Sequence, residues 1–462
     1  MNQWILKLLT LVFCATASAG VSYLGGLSFT QAFVVYVFST SILGSLFFWD
    51  YRLGFMFIGS AMYLLMGVVT PQDFVRFASL DVILFLISMM IVVAMMKDAG
   101  LFEWLITVLL RVKKLTGKKL FIILMLVSAI FSSLMGEVAS IMIMVMTILG
   151  ICELLEIDPV PLVISSIIAT NIGSAGTVLG NPVGILIASR SGLSFEDFLI
   201  HALPNSTVNL LVIIVVLVFW DRKYIREISK TLSLYTGDEG FMRLISIPSD
   251  RKTKISIAIF CVTIFLIALH KRLEVLLGLH ENTLLLMFPI LSAGIVLIYH
   301  HEKSRDYIEK EIEWPSIIFF MFLFVQAGVI QSTGVAQLLA HKLLSFAGGQ
   351  GEILTGVILF SSGILSSILD NVVAVASYTP LIGELEMISA DNSNLWWALL
   401  FGACYGGNIT MIGSTANIVA LGLLEKHVDC KITFIRWFKL GFIVGLTSLL
   451  LTFALLYGFA FL

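Results

Sequence analysis

Two short segments of the chain match each other, and both place acid or amide side chains inside apolar sequence. The first is Phe131-Ser-Ser-Leu-Met-Gly-Glu-Val138, and the second, 234 residues later, is Leu365-Ser-Ser-Ile-Leu-Asp-Asn-Val372. A carboxylate at membrane depth costs about 3 kcal/mol or more. It is usually retained to bind an ion, to transfer a proton or to form a salt bridge. These segments are therefore the first candidates for chemistry.

Asp370 carries the leading hypothesis. Asn371 beside it offers a carbonyl oxygen and two donors, and Ser366 and Ser367 add hydroxyls. Carboxylate, amide, hydroxyl and unwound backbone carbonyls together suit Na⁺ or H⁺. The structural alternative is that Asp370 caps the N-terminus of the helix that follows it.

Glu137 is the counterpart in the first segment, preceded by Ser132 and Ser133. It lies one residue after the position that matches Asp370, where the chain has Gly136. Glu137 could bind an ion in the same way as Asp370. It could instead cap the next helix or pair with a lysine.

A second pair of matching segments follows about forty residues later in each half. Thr177-Val-Leu-Gly-Asn-Pro182 corresponds to Thr410-Met-Ile-Gly-Ser-Thr415 with an offset of 233, so the register slips by one residue. Glycine and proline interrupt helices and free backbone carbonyls, and the exposed helix ends attract ions. The candidate binding residues of these segments are Asn171, Thr177, Asn181, Asn408, Thr410, Ser414, Thr415 and Asn417. Tight helix packing explains the glycines alone but not the polar cluster.

The composition places these segments in a membrane. The chain is 59% hydrophobic and 13% charged, with a mean hydropathy of +1.02. The net charge of −2 implies no nucleic-acid partner. Five dispersed cysteines show no metal-ligand or redox spacing. A role for the Cys404 thiol with a soft metalloid is a minor alternative.

The apolar pattern predicts an all-α polytopic membrane protein with about eleven transmembrane helices. The predicted spans are 5–23, 29–48, 53–70, 81–97, 160–188, 203–220, 255–270, 283–299, 316–331, 396–421 and 438–460. Two of these, 160–188 and 396–421, are predicted to be broken helices. The stretches 119–153 and 353–387 are too long for one crossing and polar near the middle, which predicts re-entrant hairpins. Residues 1–28 are interpreted as a first transmembrane helix, although Ala17-Ser-Ala-Gly20 resembles a signal-peptide cleavage site.

Basic residues predict the orientation. Six of them surround the start of the first hairpin, and the linker 221–254 is also rich in lysine and arginine, so both are expected to be cytoplasmic. The six are Lys97, Arg111, Lys113, Lys114, Lys118 and Lys119. The second hairpin starts on the opposite side, near Lys342 alone. Repeat 1 (29–220) and repeat 2 (255–462) are therefore predicted to be inverted, with a cytoplasmic N-terminus.

The segments together are typical of a secondary transporter. The sequence contains no phosphate-binding loop and no nucleophile elbow, so we expect neither ATP hydrolysis nor other enzyme activity. No cofactor is expected beyond a transported Na⁺ or H⁺.

From about residue 30 to the end, the chain resembles the ion transporter superfamily, and within it the ArsB/NhaD permease branch. The most specific stretches are Ser366-Ser-Ile-Leu-Asp-Asn-Val372, Gly406-Gly-Asn-Ile-Thr410 and Ile412-Gly-Ser-Thr-Ala-Asn-Ile-Val-Ala420. The resemblance implies inverted repeats, each with a re-entrant hairpin and a broken helix. It also implies a scaffold and a mobile transport region, often in a homodimer. The departures lie in the first half, where Gly136-Glu137 and Gly180-Asn-Pro-Val-Gly184 replace the more usual Asp-Asn and Gly-Asp-Pro-Pro-Asn.

Three transport hypotheses remain open, with the bacterial inner membrane as the expected location. The leading one is a monovalent cation/proton antiporter with Asp370 as the exchanging carboxylate. The second is an exporter of arsenite or another small solute, for which an ATPase partner is conceivable. The third is a Na⁺-coupled carrier of di- or tricarboxylates, disfavoured because the broken segments contain no lysine or arginine. A channel or receptor is disfavoured by the duplicated carboxylate-bearing hairpins.

Overall fold

A computed structural model describes residues 2–100, 115–235, 251–348, 350–388, 394–427 and 432–458. Some residues used in the sequence analysis lie outside these ranges: Arg111, Lys113 and Lys114, residues 236–250 of the predicted linker, and Cys430. The described residues form helices and contain no β-strand. The all-α membrane fold expected from the sequence is confirmed.

The first half contains helices α1 to α12. Their bounds are α1 Asn2–Leu24, α2 Phe29–Phe47, α3 Arg52–Leu65, α4 Pro71–Phe77, α5 Leu80–Asp98, α6 Gly117–Met135, α7 Glu137–Leu155, α8 Val160–Ser174, α9 Pro182–Ser191, α10 Phe195–Asp197, α11 Leu203–Trp220 and α12 Arg222–Tyr235. A 3₁₀ turn, Trp49–Tyr51, precedes α3. The π-helical turn Phe198–Ala202 joins α10 to α11.

The second half contains helices α13 to α23. Their bounds are α13 Arg251–Ala268, α14 His270–Leu277, α15 Thr283–Tyr299, α16 Ser304–Asp306, α17 Trp314–Ser332, α18 Val335–Phe346, α19 Gly351–Ile368, α20 Asn371–Ile388, α21 Leu395–Gly406, α22 Thr415–His427 and α23 Phe434–Gly458. The π-helical turn Tyr307–Glu311 follows α16.

Among the described residues, nine helices are long and apolar enough to cross a membrane, or ten if one bent pair is counted as a single span. That pair is Thr253–Ala268 with His270–Leu277, bent by 60°. The sequence predicted about eleven spans. Three of the nine, Gly117–Met135, Glu137–Leu155 and Gly351–Ile368, lie in the stretches predicted as re-entrant hairpins and are not among the eleven predicted spans. The predicted span 53–70 is not among the nine, because α3 ends after 14 residues, at Leu65. The predicted spans 160–188 and 396–421 are divided into shorter helices.

Helix breaks occur where the sequence placed the polar segments. Gly136 separates α6 from α7 with a φ of +88°, a backbone conformation that favours glycine. Residues 369–370 separate α19 from α20. Residues 175–181 separate α8 from α9, and residues 407–414 separate α21 from α22.

The chain divides into two compact units, and both draw residues from both halves of the sequence. Unit 1 comprises 1–87, 313–358 and 372–399, and unit 2 comprises 88–312, 359–371 and 400–462. In unit 1, an apolar cluster that includes Val34, Val37 and Val329 surrounds the buried Tyr63 ring. The Tyr63 hydroxyl donates to the Val34 carbonyl at 3.0 Å, so this buried phenol is paired.

Unit 2 repeats one close backbone contact in both halves. A Cβ added to Gly173 of α8 would lie 2.3 Å from the Ala129 carbonyl oxygen of α6. A Cβ added to Gly406 of α21 would lie 2.2 Å from the Gly363 carbonyl oxygen of α19. Only glycine permits this approach, so the start of each break is packed directly on the backbone of the first hairpin helix.

We predict that Gly406→Ala destabilises the protein by about 1–3 kcal/mol, because its methyl group would overlap the Gly363 backbone. Gly422→Ala is the matched control, since a Cβ there has no atom within 4 Å. The midpoint of thermal unfolding in detergent should fall for Gly406→Ala. It should stay level or rise slightly for Gly422→Ala, because alanine favours helix. Equal midpoints for the two variants would show that the close contact is not required.

Candidate functional site

Glu137 and Asn371 bring the two hairpin breaks together. Glu137 begins α7 and is 2% exposed, while Asn371 begins α20 and is 1% exposed. The Asn371 Nδ2 donates to both carboxylate oxygens of Glu137, at 3.1 and 3.2 Å. The Ser174 and Asn181 side chains also lie beside this carboxylate. The predicted site residues of the two halves therefore share one polar cluster in unit 2.

The partners of Glu137 in this cluster are neutral. Among the described residues, no lysine, arginine or histidine forms an ion pair with it. The alternative that Glu137 pairs with a lysine thus has no support in the described part of the chain. A buried carboxylate surrounded by neutral donors has a strong preference for a bound proton or cation.

Asp370 is bound in a different way. Its Oδ2 accepts the backbone N–H of Thr415 at 2.9 Å and also accepts the Thr415 hydroxyl. Thr415 is the first residue of α22, so Asp370 of the hairpin caps the second part of the broken helix. The alternative stated for the sequence was that Asp370 caps α20, the helix that follows it in the chain. The contact with Thr415 links the hairpin to the break.

The first half caps its broken helix with a residue of the break itself. Asn181 Oδ1 accepts the Gly184 N–H at 2.9 Å, and Pro182 occupies the first turn of α9. The hairpin position that matches Asp370 is Gly136, which has no side chain to offer. The departures of the first half from the family pattern thus replace one capping arrangement by another.

Two threonines make equivalent contacts in the two halves. The Thr177 hydroxyl donates to the Ser133 carbonyl, and the Thr410 hydroxyl donates to the Ser367 carbonyl. Each hydroxyl also accepts a nearby backbone N–H, from Leu179 and Ile412 respectively. Each break is therefore hydrogen-bonded to the hairpin of its own half, in the same register.

Three asparagines connect the two breaks to each other. Asn171 Nδ2 donates to Asn408 Oδ1 and to Asn417 Oδ1, both at 2.8 Å. Asn417 Nδ2 in turn donates to the Gly407 and Thr410 carbonyls, at 2.9 and 3.0 Å. Asn171 Oδ1 and Asn408 Nδ2 are buried and have no hydrogen-bond partner among the described residues. These two atoms are free to contact a small ligand.

The serines suggested by the sequence mostly bind helix backbone. Ser133 and Ser367 donate to carbonyls three residues earlier, at 2.8 and 2.7 Å, and Ser366 donates to the Ala403 carbonyl at 2.6 Å. Ser414 Oγ accepts the Ala416 N–H at 3.2 Å. Ser132 Oγ is buried and has no partner among the described residues. Of the five, Ser132 alone has a hydroxyl that no described group engages.

Two residues that hold the site, Trp437 and Ser174, were not predicted from the sequence. Trp437 Nε1, on α23, donates to the Asn408 carbonyl at 3.1 Å. Asn181 Nδ2 donates to Ser174 Oγ at 2.9 Å and contacts the Cys404 sulfur at 3.1 Å. Ser174 lies in the glycine-rich segment and could have been included with its neighbours. Trp437 has no signal of its own, because it belongs to a different helix with an ordinary apolar sequence.

Comparison with known proteins identifies the family. The profile of CitMHS, described as citrate transporter, matches residues 46–402 and 283–461. An uncharacterized transporter of Mycobacterium bovis is 30% identical over 403 residues, which cover 85% of this chain and 90% of that protein. The human P protein is 25% identical over 438 residues, covering 80% of this chain and 52% of that protein, so the chain spans about half its length.

Two solved structures share the fold. The Alcanivorax borkumensis YdaH transporter matches with a TM-score of 0.53 and 15% identity, covering 87% of this chain and 89% of that chain. Neisseria gonorrhoeae MtrF, of a class of antimetabolite efflux pumps, matches with a TM-score of 0.55 and 16% identity, covering 86% and 83%. With its apolar helices, paired helix breaks and profile match, the chain belongs to the CitMHS citrate transporter family of the ion transporter superfamily, and it is an integral membrane secondary transporter.

Proposed function

We propose that this protein is a monovalent cation/proton antiporter that uses two intramembrane carboxylates, Glu137 and Asp370. The observation that carries the proposal is the environment of Glu137. It is buried at a hairpin break, and its carboxylate oxygens accept from the neutral Asn371 amide. An amide stabilises the carboxylate by hydrogen bonding but does not neutralise its charge.

Exchange requires a group that takes a proton and a cation in turn. An uncompensated carboxylate at this depth satisfies that requirement, because either partner removes most of the cost of the buried charge. The Asn371 amide N–H groups bind both carboxylate oxygens of Glu137. A cation that binds to Glu137 therefore displaces an amide N–H, and rotation of the Asn371 amide then turns its oxygen towards the cation. Asn371 is therefore proposed to follow the binding state of Glu137.

Asp370 is proposed to supply a second negative charge that attracts the cation. Its carboxylate lies at the N-terminus of α22, where backbone N–H groups and the helix dipole stabilise a negative charge. The sequence alone favoured Asp370 as the single exchanging group. The geometry supports a division of roles, with Glu137 exchanging the proton for the cation and Asp370 maintaining a negative charge that attracts the cation.

Neutral oxygens complete the proposed cation site. Asn171 Oδ1 is buried without a partner among the described residues, and Ser132 Oγ shares this property. Na⁺ binds oxygen ligands of this kind, and the backbone carbonyls released at the breaks add more of them. The remaining residues predicted from the sequence, including Thr177 and Thr410, are proposed to hold the breaks in position.

Transport of a carboxylate solute such as citrate is the second candidate, because the matching family profile is that of a citrate transporter. The hairpin segment 131–138, its counterpart 365–372 and the breaks 175–181 and 407–414 contain no lysine or arginine. A polycarboxylate would therefore need an accompanying cation to offset its charge beside Glu137 and Asp370. Arsenite export rests on the resemblance to the ArsB/NhaD branch alone. The inverted repeats, the homodimer, the cytoplasmic N-terminus and the bacterial inner membrane are part of this proposal.

The proposal predicts proton movement in response to Na⁺ or Li⁺ in everted vesicles loaded with a pH-reporting dye. Glu137→Gln should abolish the response, because glutamine takes up no proton at this position. Asp370→Asn should weaken or abolish it by removing the charge that attracts the cation. Glu281→Gln, at an exposed residue, should respond like the wild type. K⁺, arsenite, citrate and citrate with Mg²⁺ are added to separate vesicle samples.

A full Na⁺ or Li⁺ response in Glu137→Gln would exclude Glu137 as the proton carrier. If no monovalent cation causes proton movement but citrate does, the protein is a carboxylate transporter and not a cation/proton antiporter. A response to arsenite alone would support solute export.

The capping contact of Asp370 predicts a separation between stability and transport. Asp370→Ala should lower the free energy of unfolding by about 0.5–2 kcal/mol, since the N-terminus of α22 loses its cap. Asp370→Asn should stay close to the wild type, because asparagine is an equally good cap. Thermal unfolding of the detergent-solubilised variants measures the difference. Equal stability of Asp370→Ala and Asp370→Asn would show that the cap contributes little.

A further inference from the structure

Helix α12 has two different faces and follows a membrane span. One residue, Asp221, separates the end of the apolar helix Phe195–Trp220 from the start of α12 at Arg222. Ile225, Ile228 and Leu232 are buried at helical spacing. The apolar face of α12 is thus covered by protein, and the helix directly follows a helix that is long and apolar enough to cross a membrane.

The opposite face of α12 carries a row of positive charge. Arg222, Arg226 and Lys230 are exposed and follow one another at four-residue intervals, so they lie on one line along the helix. We name these three residues the basic row. None of them forms an ion pair with a described residue. The exposed acid on this helix, Glu227, lies four residues after Lys223, so these two residues form a second line along the helix, next to the basic row.

The basic row is attached to the start of the first hairpin. The Gly117 N–H, in the first turn of α6, donates to Ser229 Oγ at 3.0 Å. A Cβ on Gly117 would lie 2.5 Å from the Ile225 carbonyl oxygen, so the two helices touch through their backbones. Lys118 and Lys119 are exposed in the same turn of α6 and add two positive charges next to α12.

We propose that the basic row, together with Lys118 and Lys119, binds the headgroups of anionic phospholipids. Basic clusters that directly follow a span meet the lipid phosphates of the adjacent leaflet. The apolar side chains of α12 are engaged by protein, so the surface offers charge and hydrogen-bond donors without inserting into the acyl chains. The N-terminus of α6 contributes further positive potential at the same place.

Lipid binding at this position would act on the hairpin. A headgroup that bridges Lys118 or Lys119 to the basic row holds α12 against the first turn of α6. That helix ends at Met135, next to Gly136 and Glu137. The lipid is therefore expected to stabilise the docked arrangement of α12 and α6. This inference concerns lipid binding and does not depend on which solute the protein transports.

The test is native mass spectrometry of the purified full-length protein, titrated with phosphatidylglycerol or phosphatidylcholine. We expect the wild type to bind phosphatidylglycerol more tightly. The variant Arg222→Gln/Arg226→Gln/Lys230→Gln should lose on the order of 100-fold in phosphatidylglycerol affinity, at about fivefold for each charge removed. Its phosphatidylcholine affinity should not change.

Two controls keep the test specific. The variant Arg222→Lys/Arg226→Lys/Lys230→Arg keeps the charge and should retain the preference. Arg305→Gln/Lys310→Gln removes two charges that already pair with Glu309 and Asp306 and should also retain it. Thermal unfolding in lipid-free detergent verifies that the neutralised variant is folded.

Equal wild-type affinity for the two lipids would overturn the proposal, as would an unchanged preference in a folded neutralised variant. Displacement of phosphatidylglycerol by an equal concentration of inorganic phosphate would assign the surface to soluble anions instead.

Discussion

Backbone groups freed inside a membrane need partners within the protein, and the site of this transporter follows from that requirement. A helix that stops at mid-depth exposes unpaired N–H and C=O groups that no water can satisfy. Here side chains of neighbouring segments form hydrogen bonds with the unpaired groups at the helix ends. Asp370 and Asn181 cap the N-termini of the second parts of the broken helices. Thr177 and Thr410 bind carbonyls at the ends of the first hairpin helices. The residues that make the breaks possible are thus the residues that could bind ions.

The two halves meet the same requirement with different chemistry. In the second half the acid at the hairpin is used as a cap, so its charge is engaged by a helix end. In the first half an asparagine supplies the cap, and the acid is displaced by one position, to Glu137. That displacement brings its carboxylate against Asn371 of the other hairpin. The two matching hairpin segments thus place two carboxylates in unlike surroundings. Unlike surroundings are what allow two acids to perform different tasks in one cycle.

Much of this could be predicted from the sequence, because breaks are local events. The glycine at 136 and the Asn181-Pro182 pair mark positions where a helix must stop, and both breaks appear there. The matching offsets also marked the polar segments of the two halves as counterparts. The contact partners could not be predicted, since they depend on how distant helices pack. The Asn171 link to Asn408 joins α8 to the break in the other half, and the Trp437 donor comes from a helix with no distinguishing motif. The length of α3 was overestimated because an apolar composition does not reveal where a short helix ends.

The paired glycine contacts of unit 2 limit the ways in which this molecule can move. Gly173 lies on the backbone at Ala129, and Gly406 lies on the backbone at Gly363, with no side chain between them. Side chains can change rotamer and so let two helices slide past each other. Backbones in direct contact have no such freedom. The start of each break and its adjacent hairpin helix are consequently expected to move as one rigid unit. A conformational change that opens the site to the other side of the membrane therefore moves each break start together with its hairpin helix. The backbone rearrangement occurs in other parts of the chain.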